Sequence, residues 1–117
     1  MAETRWPRSA APPGAALYSE NGVELQLVSQ LGDRRAWDHC RRRATAGERI
    51  QVVLLHDAVL ETEATISEAL GEVDSTRLVV MACAEDARRR QVEERWPLID
   101  YQGIIASCAG AARVVSW

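Results

Sequence analysis

The chain has 117 residues, of which 47% are hydrophobic and 26% charged, with a formal net charge of −3; that is enough sequence for one domain with a core that needs no disulfide support. The mild acidity gives no electrostatic case for nucleic acid or an anionic membrane as the main partner, and no apolar run approaches the ~20 residues that span a bilayer. Met1-Ala2-Glu3-Thr4-Arg5-Trp6-Pro7 lacks the apolar centre of a secretory signal, so the expected address is cytoplasmic.

Residues 1–22 hold Pro7, Pro12, Pro13 and Gly14 without apolar periodicity. They read as a flexible extension with Trp6 and Tyr18 as candidate docking residues. From Val23 the pattern changes, and residues 23–117 are expected to form the domain. Val23, Leu25, Leu27 and Ser29 alternate with polar residues, as in a strand buried on one face. Gly32-Asp33 breaks it, and Asp33 is placed to cap a helix over 34–46. On that helix Ala36, Trp37, Cys40 and Ala44 share the inner face, the arginines take the outer one, and Gly47 ends it.

Ile50–Leu55 is a continuous apolar run interrupted only by Gln51 and predicts a central strand ending in His56-Asp57. A helix over 62–70 follows, with Ala64, Ile66, Ala69 and Leu70 inward and Gly71 at its end. Residues 76–82 form the next strand, a helix carries the Arg88-Arg89-Arg90 run, and Trp96–Ile99 makes a short strand. A helix over 101–109 and a closing strand over 113–117 complete the chain. Such alternation predicts a three-layer α/β/α domain, with a mostly parallel sheet of about five strands covered by helices on both faces.

Three cysteines, Cys40, Cys83 and Cys108, stand at unrelated spacings with no CxxC pair, which argues against a disulfide framework and a zinc site. Cys83 follows Leu78-Val79-Val80-Met81-Ala82 and precedes Ala84-Glu85-Asp86-Ala87. It should therefore stand at the carboxyl end of a strand and the amino end of a helix. Ligands bind at that edge of an open α/β sheet, and the helix terminus favours a thiolate there. That makes Cys83 a candidate nucleophile with partial exposure and a low pKa. Glu85 and Asp86 oppose this, since negative charge raises a thiol pKa. The alternative is a small buried residue, the commonest fate of a free cysteine. Cys40 lies on the inner stripe of its helix, and Cys108 is expected to face the core beside Ile104 and Ile105. His56 is a candidate proton carrier, Asp57 a turn-capping residue, and the arginine run a solvated face or a hold on an acidic partner. Trp96 and Trp117 read as core or interface residues. No glycine-rich phosphate loop follows any strand.

Several of these segments resemble the DsrE/DsrF/DsrH superfamily of sulfur-transfer proteins, which includes the TusB, TusC and TusD subunits. Leu54-Leu55-His56-Asp57-Ala58-Val59 is similar to the strand-and-turn motif of the DsrH/TusB branch. Glu85-Asp86 with Arg90, Ile99-Asp100-Tyr101 and Val114-Val115-Ser116-Trp117 resemble further motifs of that branch. Cys40, followed by Ala44-Thr45-Ala46-Gly47, is similar to the cysteine of sulfur-oxidiser DsrH proteins. Cys83 with Ala87 and Arg89-Arg90 resembles the Cys-x3-Ala-x-Arg-Arg-Gly pattern of the DsrE/TusD branch. The chain departs from these patterns at Ala58 and Gln91, where glycine is usual.

The resemblance implies a sulfur-relay protein in which Cys83 or Cys40 carries a transient cysteine persulfide and no other cofactor is needed. It implies DsrE- and DsrF-like (TusD- and TusC-like) partner subunits in a homo- or hetero-oligomer, and a sulfur acceptor of the TusE/DsrC kind. The sulfur would go to tRNA thiolation or come from oxidation of stored sulfur, without direct contact with nucleic acid. The alternative it implies is a non-catalytic interaction subunit of the same assembly.

Overall fold

In the computed structural model the described residues are 22–117; the expected extension, with Trp6 and Tyr18, lies outside them. Five strands are present: β1 (Val23–Val28), β2 (Arg49–Leu54), β3 (Leu78–Cys83), β4 (Leu98–Ile99) and β5 (Arg113–Ser116). The helices between them are α1 (Arg34–Thr45), α2 (Glu63–Leu70), α3 (Ala84–Arg89) and α4 (Tyr101–Gly110), with a 3₁₀ turn at His56–Leu60. The strand order is β4-β3-β2-β1-β5 and every pairing is parallel. The sheet is thus the expected one, in a three-layer arrangement.

The order explains the layers. The three crossovers from β1 to β4 all step the same way along the sheet, so right-handed connections put their helices on one face. The return from β4 to β5 steps the other way and puts α4 on the opposite face. The two cores follow this division. Val28, Ile50, Val52, Leu54, Leu78 and Val80 pack with Trp37, Cys40, Ile66 and Leu70 of α1 and α2. Leu25, Val53, Val79, Met81 and Ile99 pack with Ile104 and Cys108 of α4. Gln51 faces α4 too, and its amide donates to the Ser107 hydroxyl at 3.3 Å. Gly103 lets α4 sit close to the sheet, because a Cβ there would come within 2.7 Å of the Ile99 side chain.

Local signals account for the helix starts. Asp33 accepts from the Ala36 N–H and caps α1, whose buried residues are Ala36, Trp37, Cys40 and Ala44, as expected. Thr62 and Thr65 form a reciprocal capping box on α2. Asp100 accepts from the Gly103 N–H at the start of α4.

Several expectations need correction. Strand β1 is buried on both faces: Glu24 and Gln26 lie under α1 and the chain's last residue, Trp117. Burial pushes the Glu24 carboxyl up, but hydrogen bonds and charge from His39 (2.9 Å) and Arg43 (3.1 Å) outweigh it and hold the group below its ordinary value. Arg43 therefore does not belong to a purely solvated arginine face. Ala64 is exposed rather than inward. Ile105 points to solvent, 68% exposed, while Ile104 and Cys108 face the sheet. Trp96 is core, its indole N–H donating to the Glu61 carbonyl at 3.0 Å. No helix among the described residues is long and apolar enough to cross a membrane.

Candidate functional site

Strand order also locates the crevice of this sheet. The chain leaves β3 toward the face of α1 and α2, and leaves the neighbouring β4 toward the face of α4. The carboxyl ends of β3 and β4 therefore flank a topological switch point, where open α/β sheets bind ligands. Cys83 is the last residue of β3 and pairs in register with Ile99 of β4. The sequence-predicted position of Cys83 is the observed one.

Its environment is not the expected one. Cys83 is fully buried, at 0% exposure. Its Sγ lies 3.5 Å from Glu85 Oε1, toward which the thiol donates. Burial pushes the thiol up to about 11; the N–H groups of Asp86 and Glu85 pull it down, but the Asp86 charge and the Glu85 hydrogen bond add to the rise. At neutral pH Cys83 is a protonated thiol enclosed by its neighbours. The expectation of partial exposure and a low pKa is corrected. Burial, with the Asp86 charge and the Glu85 hydrogen bond, outweighs the helix terminus, and α3 has only six residues with which to build a dipole.

Asp86 organises the site. It is 2% exposed. Its Oδ2 accepts from the His56 backbone N–H at 2.8 Å, and its Oδ1 pairs with Arg89 at 2.9 Å and Arg90 at 3.8 Å. Burial raises this carboxyl, but the His56 N–H, the Cys83 thiol and the Arg90 charge outweigh it and hold it below its ordinary value. Arg90 reaches on to Asp57 at 3.1 Å. The strand-end turn after β2 is thereby fastened to α3 on the β2 side of β3. His56 holds its place through its main chain, in a left-handed conformation (φ 51°), with its ring outside in solvent. Asp57 is an ion-pair partner rather than a turn cap. Arg88 and Arg89 are exposed and fit the solvated-face reading, although Arg89 also pairs with Asp86, while Arg90 is partly buried between Asp86 and Asp57.

Cys40 stands apart from this group. It is fully buried in the core between α1 and the sheet. Burial, with the Glu24 charge nearby, pushes its thiol up to about 12. Cys108 is half-buried against the opposite face. The fold thus keeps the two candidate thiols in separate places and does not build a relay pair from them. Two surface cavities, of about 300 and 200 Å³, are lined by Gln91–Arg95 and by residues of the α1 and α2 starts. Neither is lined by a cysteine. Gln91 has φ 60°, a left-handed position just past α3. That geometry is why glycine would suit it, whereas Ala58 sits buried in the 3₁₀ turn without such a demand.

Sequence reasoning missed two parts of this arrangement: the buried state of Asp86, and its bond to the His56 main chain. The signal available was the pairing of an acidic dipeptide with arginines three and four residues later. The chain matches no protein-family profile, no curated protein and no solved structure.

Proposed function

We propose that the chain is a subunit of a sulfur-relay assembly of the DsrE/DsrF/DsrH kind, and that it serves there as an interaction subunit rather than as the sulfur-bearing one. The observation that carries the assembly reading is the convergence of three of the resembling segments at the carboxyl ends of β2, β3 and β4, while Val114–Trp117 lies at the far edge on β5 and Cys40 in the core. Asp86 of the acidic pair takes the His56 N–H of the strand-and-turn motif, Arg90 pairs with Asp57, and Ile99 stands in register with Cys83. Motifs scattered over the sequence thus form one connected group. The non-catalytic role follows from the thiols: both Cys83 and Cys40 are buried and held protonated, whereas a relay cysteine must meet its donor as an accessible thiolate.

A second reading, Cys83 as the carrier, is favoured by its place at the switch point beside the Glu85 carboxylate. In that chemistry the Cys83 thiol gives its proton to Glu85, and the thiolate attacks the outer sulfur of a donor persulfide. The donor S–S bond breaks, the donor leaves as a thiolate that takes the proton back, and Cys83 holds the sulfur as Cys–S–SH. The step requires the enclosed thiol to become accessible to the donor first.

The test is to mix the protein with purified DsrE- and DsrF-like subunits and a TusE/DsrC-like acceptor, supply a persulfide donor, and map added sulfur by peptide mass spectrometry. Stable association, with no one-sulfur adduct on Cys83 or Cys40 and full relay in Cys83→Ser, is the expected result. A sulfur adduct on Cys83 that disappears in Cys83→Ser transfers the role to the carrier reading. Failure to associate with any such subunit rejects the assembly.

A further inference from the structure

The smaller of the two cavities, about 200 Å³, lies between α1 and α2 near the starts of both helices. Its two walls differ in kind. The α1 wall donates: Arg34 and Trp37, three residues apart on one face of the helix, both line it. The α2 wall accepts, with Glu61, Thr65 and Glu68. Arg34 makes no ion pair across the gap with either glutamate, so the two walls do not neutralise each other. Two buried groups in these walls lack the partners they would ordinarily have. Trp37 is 2% exposed, yet its indole N–H has no acceptor among the described residues. The indoles of Trp96 and Trp117, by contrast, donate to the Glu61 carbonyl and to Gln26, as buried indoles usually do. Glu61 is 4% exposed, and its carboxylate is held by two neutral donors, the Gly32 N–H at 2.7 Å and the Thr65 hydroxyl at 3.0 Å. No cation among the described residues pairs with it, and a carboxylate that accepts two bonds has lone pairs left for more.

We propose that this cavity binds a small zwitterion of the free amino-acid class. Its carboxylate is taken by the Arg34 guanidinium and the Trp37 indole N–H, and its ammonium by Glu61, Thr65 and Glu68. Size agrees: 200 Å³ is the volume of about seven waters and lies below the ~300–1,000 Å³ of sites for drug-sized molecules. Charge selects the class. Two carboxylates against one guanidinium repel a plain anion, and a plain amine leaves the Arg34 and Trp37 donors unanswered. A zwitterion answers both walls and brings no net charge into the groove. Arg34 and Glu68 are exposed and meet the ligand at the rim, whereas Trp37 and Glu61 form the closed end. This inference does not depend on the sulfur-relay reading.

Nitrogen–proton correlation spectra of the full-length protein read the site through the Trp37 indole N–H, whose signal is assigned by its loss in Trp37→Phe. Among the standard free L-amino acids, titrated one at a time, at least one should move that signal downfield and to saturation. The Trp96 and Trp117 indoles should stay in place. Propionate and propylamine, which carry one charge each, should bind at least about tenfold more weakly, because each forgoes the charged hydrogen bonds to one wall. Arg34→Gln should weaken the amino acid about tenfold. Its urea midpoint should remain that of the wild type, since Arg34 is exposed and unpaired. The proposal is overturned if no amino acid moves the Trp37 signal up to about 10 mM. It is equally overturned if propionate or propylamine binds as tightly, or if Arg34→Gln leaves the affinity unchanged.

Discussion

Replacing Asp86 with asparagine tests how far this carboxylate fastens the turn after β2 to α3. The side chain is nearly isosteric, so the His56 N–H keeps an acceptor and the effect is confined to charge. Three contributions are lost. The 2.8 Å bond from the His56 N–H falls from a charge-assisted to a neutral hydrogen bond, about 1 kcal/mol. The pair with Arg89, whose side chain is 63% exposed, contributes about 0.5 kcal/mol after solvent screening. The longer pair with Arg90 at 3.8 Å adds about 0.5–1 kcal/mol, and the Asn amide group would also face a guanidinium. The expected loss is about 2–2.5 kcal/mol, a fall of roughly 1 M in the urea midpoint. The pH dependence carries the sign. Asp86 titrates below its ordinary value when folded, so its contribution is complete above the unfolded carboxylate pKa and fades as pH falls through the folded one. Urea melts of wild type and Asp86→Asn should therefore differ fully at pH 5–7 and converge below about pH 4. A difference under about 0.5 kcal/mol at pH 7, or one that persists unchanged to pH 3, would refute the argument.

Thiol accessibility gives a second expectation: with iodoacetamide at pH 8, half-buried Cys108 should react first. The rise of Cys83 from 9.0 to about 11 alone cuts its thiolate fraction about a hundredfold, and that of Cys40 to about 12 about a thousandfold. Peptide mass spectrometry of a time course reads the order, and a Cys83 rate matching that of Cys108 would contradict the enclosed site. At Gln91 the left-handed backbone (φ 60°) costs a side-chain-bearing residue energy that glycine avoids. Gln91→Gly should thus stabilise the protein by about 0.5–1 kcal/mol despite glycine's extra entropy; a loss of stability in thermal or urea melts would count against that backbone.

What the sequence revealed of the fold came from long, strongly patterned segments. The inner face of α1 and its Asp33 cap follow from spacing and local chemistry, as does the parallel sheet from the alternation of apolar runs with helical ones. The 3₁₀ turn at His56–Leu60 has no period to read, being too short for one. Glu24 and Gln26 looked outward because period two in β1 assigns one face to water. Trp117, 91 residues beyond Gln26 in the chain, closes that face, and no local pattern contains this. Ile104-Ile105 presents two identical neighbours about 100° apart on a helix, so composition cannot choose which turns inward. The contact of α4 with Ile99 and Leu25 makes the choice.

The same distinction separates the position of Cys83 from its state. Its place at a strand end is a local property, and the structure bears it out. Its exposure is set by tertiary packing that no single segment encodes, whereas the charge and hydrogen bond that add to the rise come from the adjacent Asp86 and Glu85. A closed thiol at a switch point is still informative. If Cys83 ever reacts, the reactive form must be a minor one in which its thiol is uncovered, and the apparent reactivity is the intrinsic one multiplied by the open fraction. A partner that binds the open form better would raise that fraction, whereas one indifferent to the two forms would not. Comparing Cys83 alkylation in Asp86→Asn with that in the assembled complex separates these cases. Acceleration by the substitution alone shows that the ion network is the latch, and further acceleration on assembly shows that a partner subunit opens it.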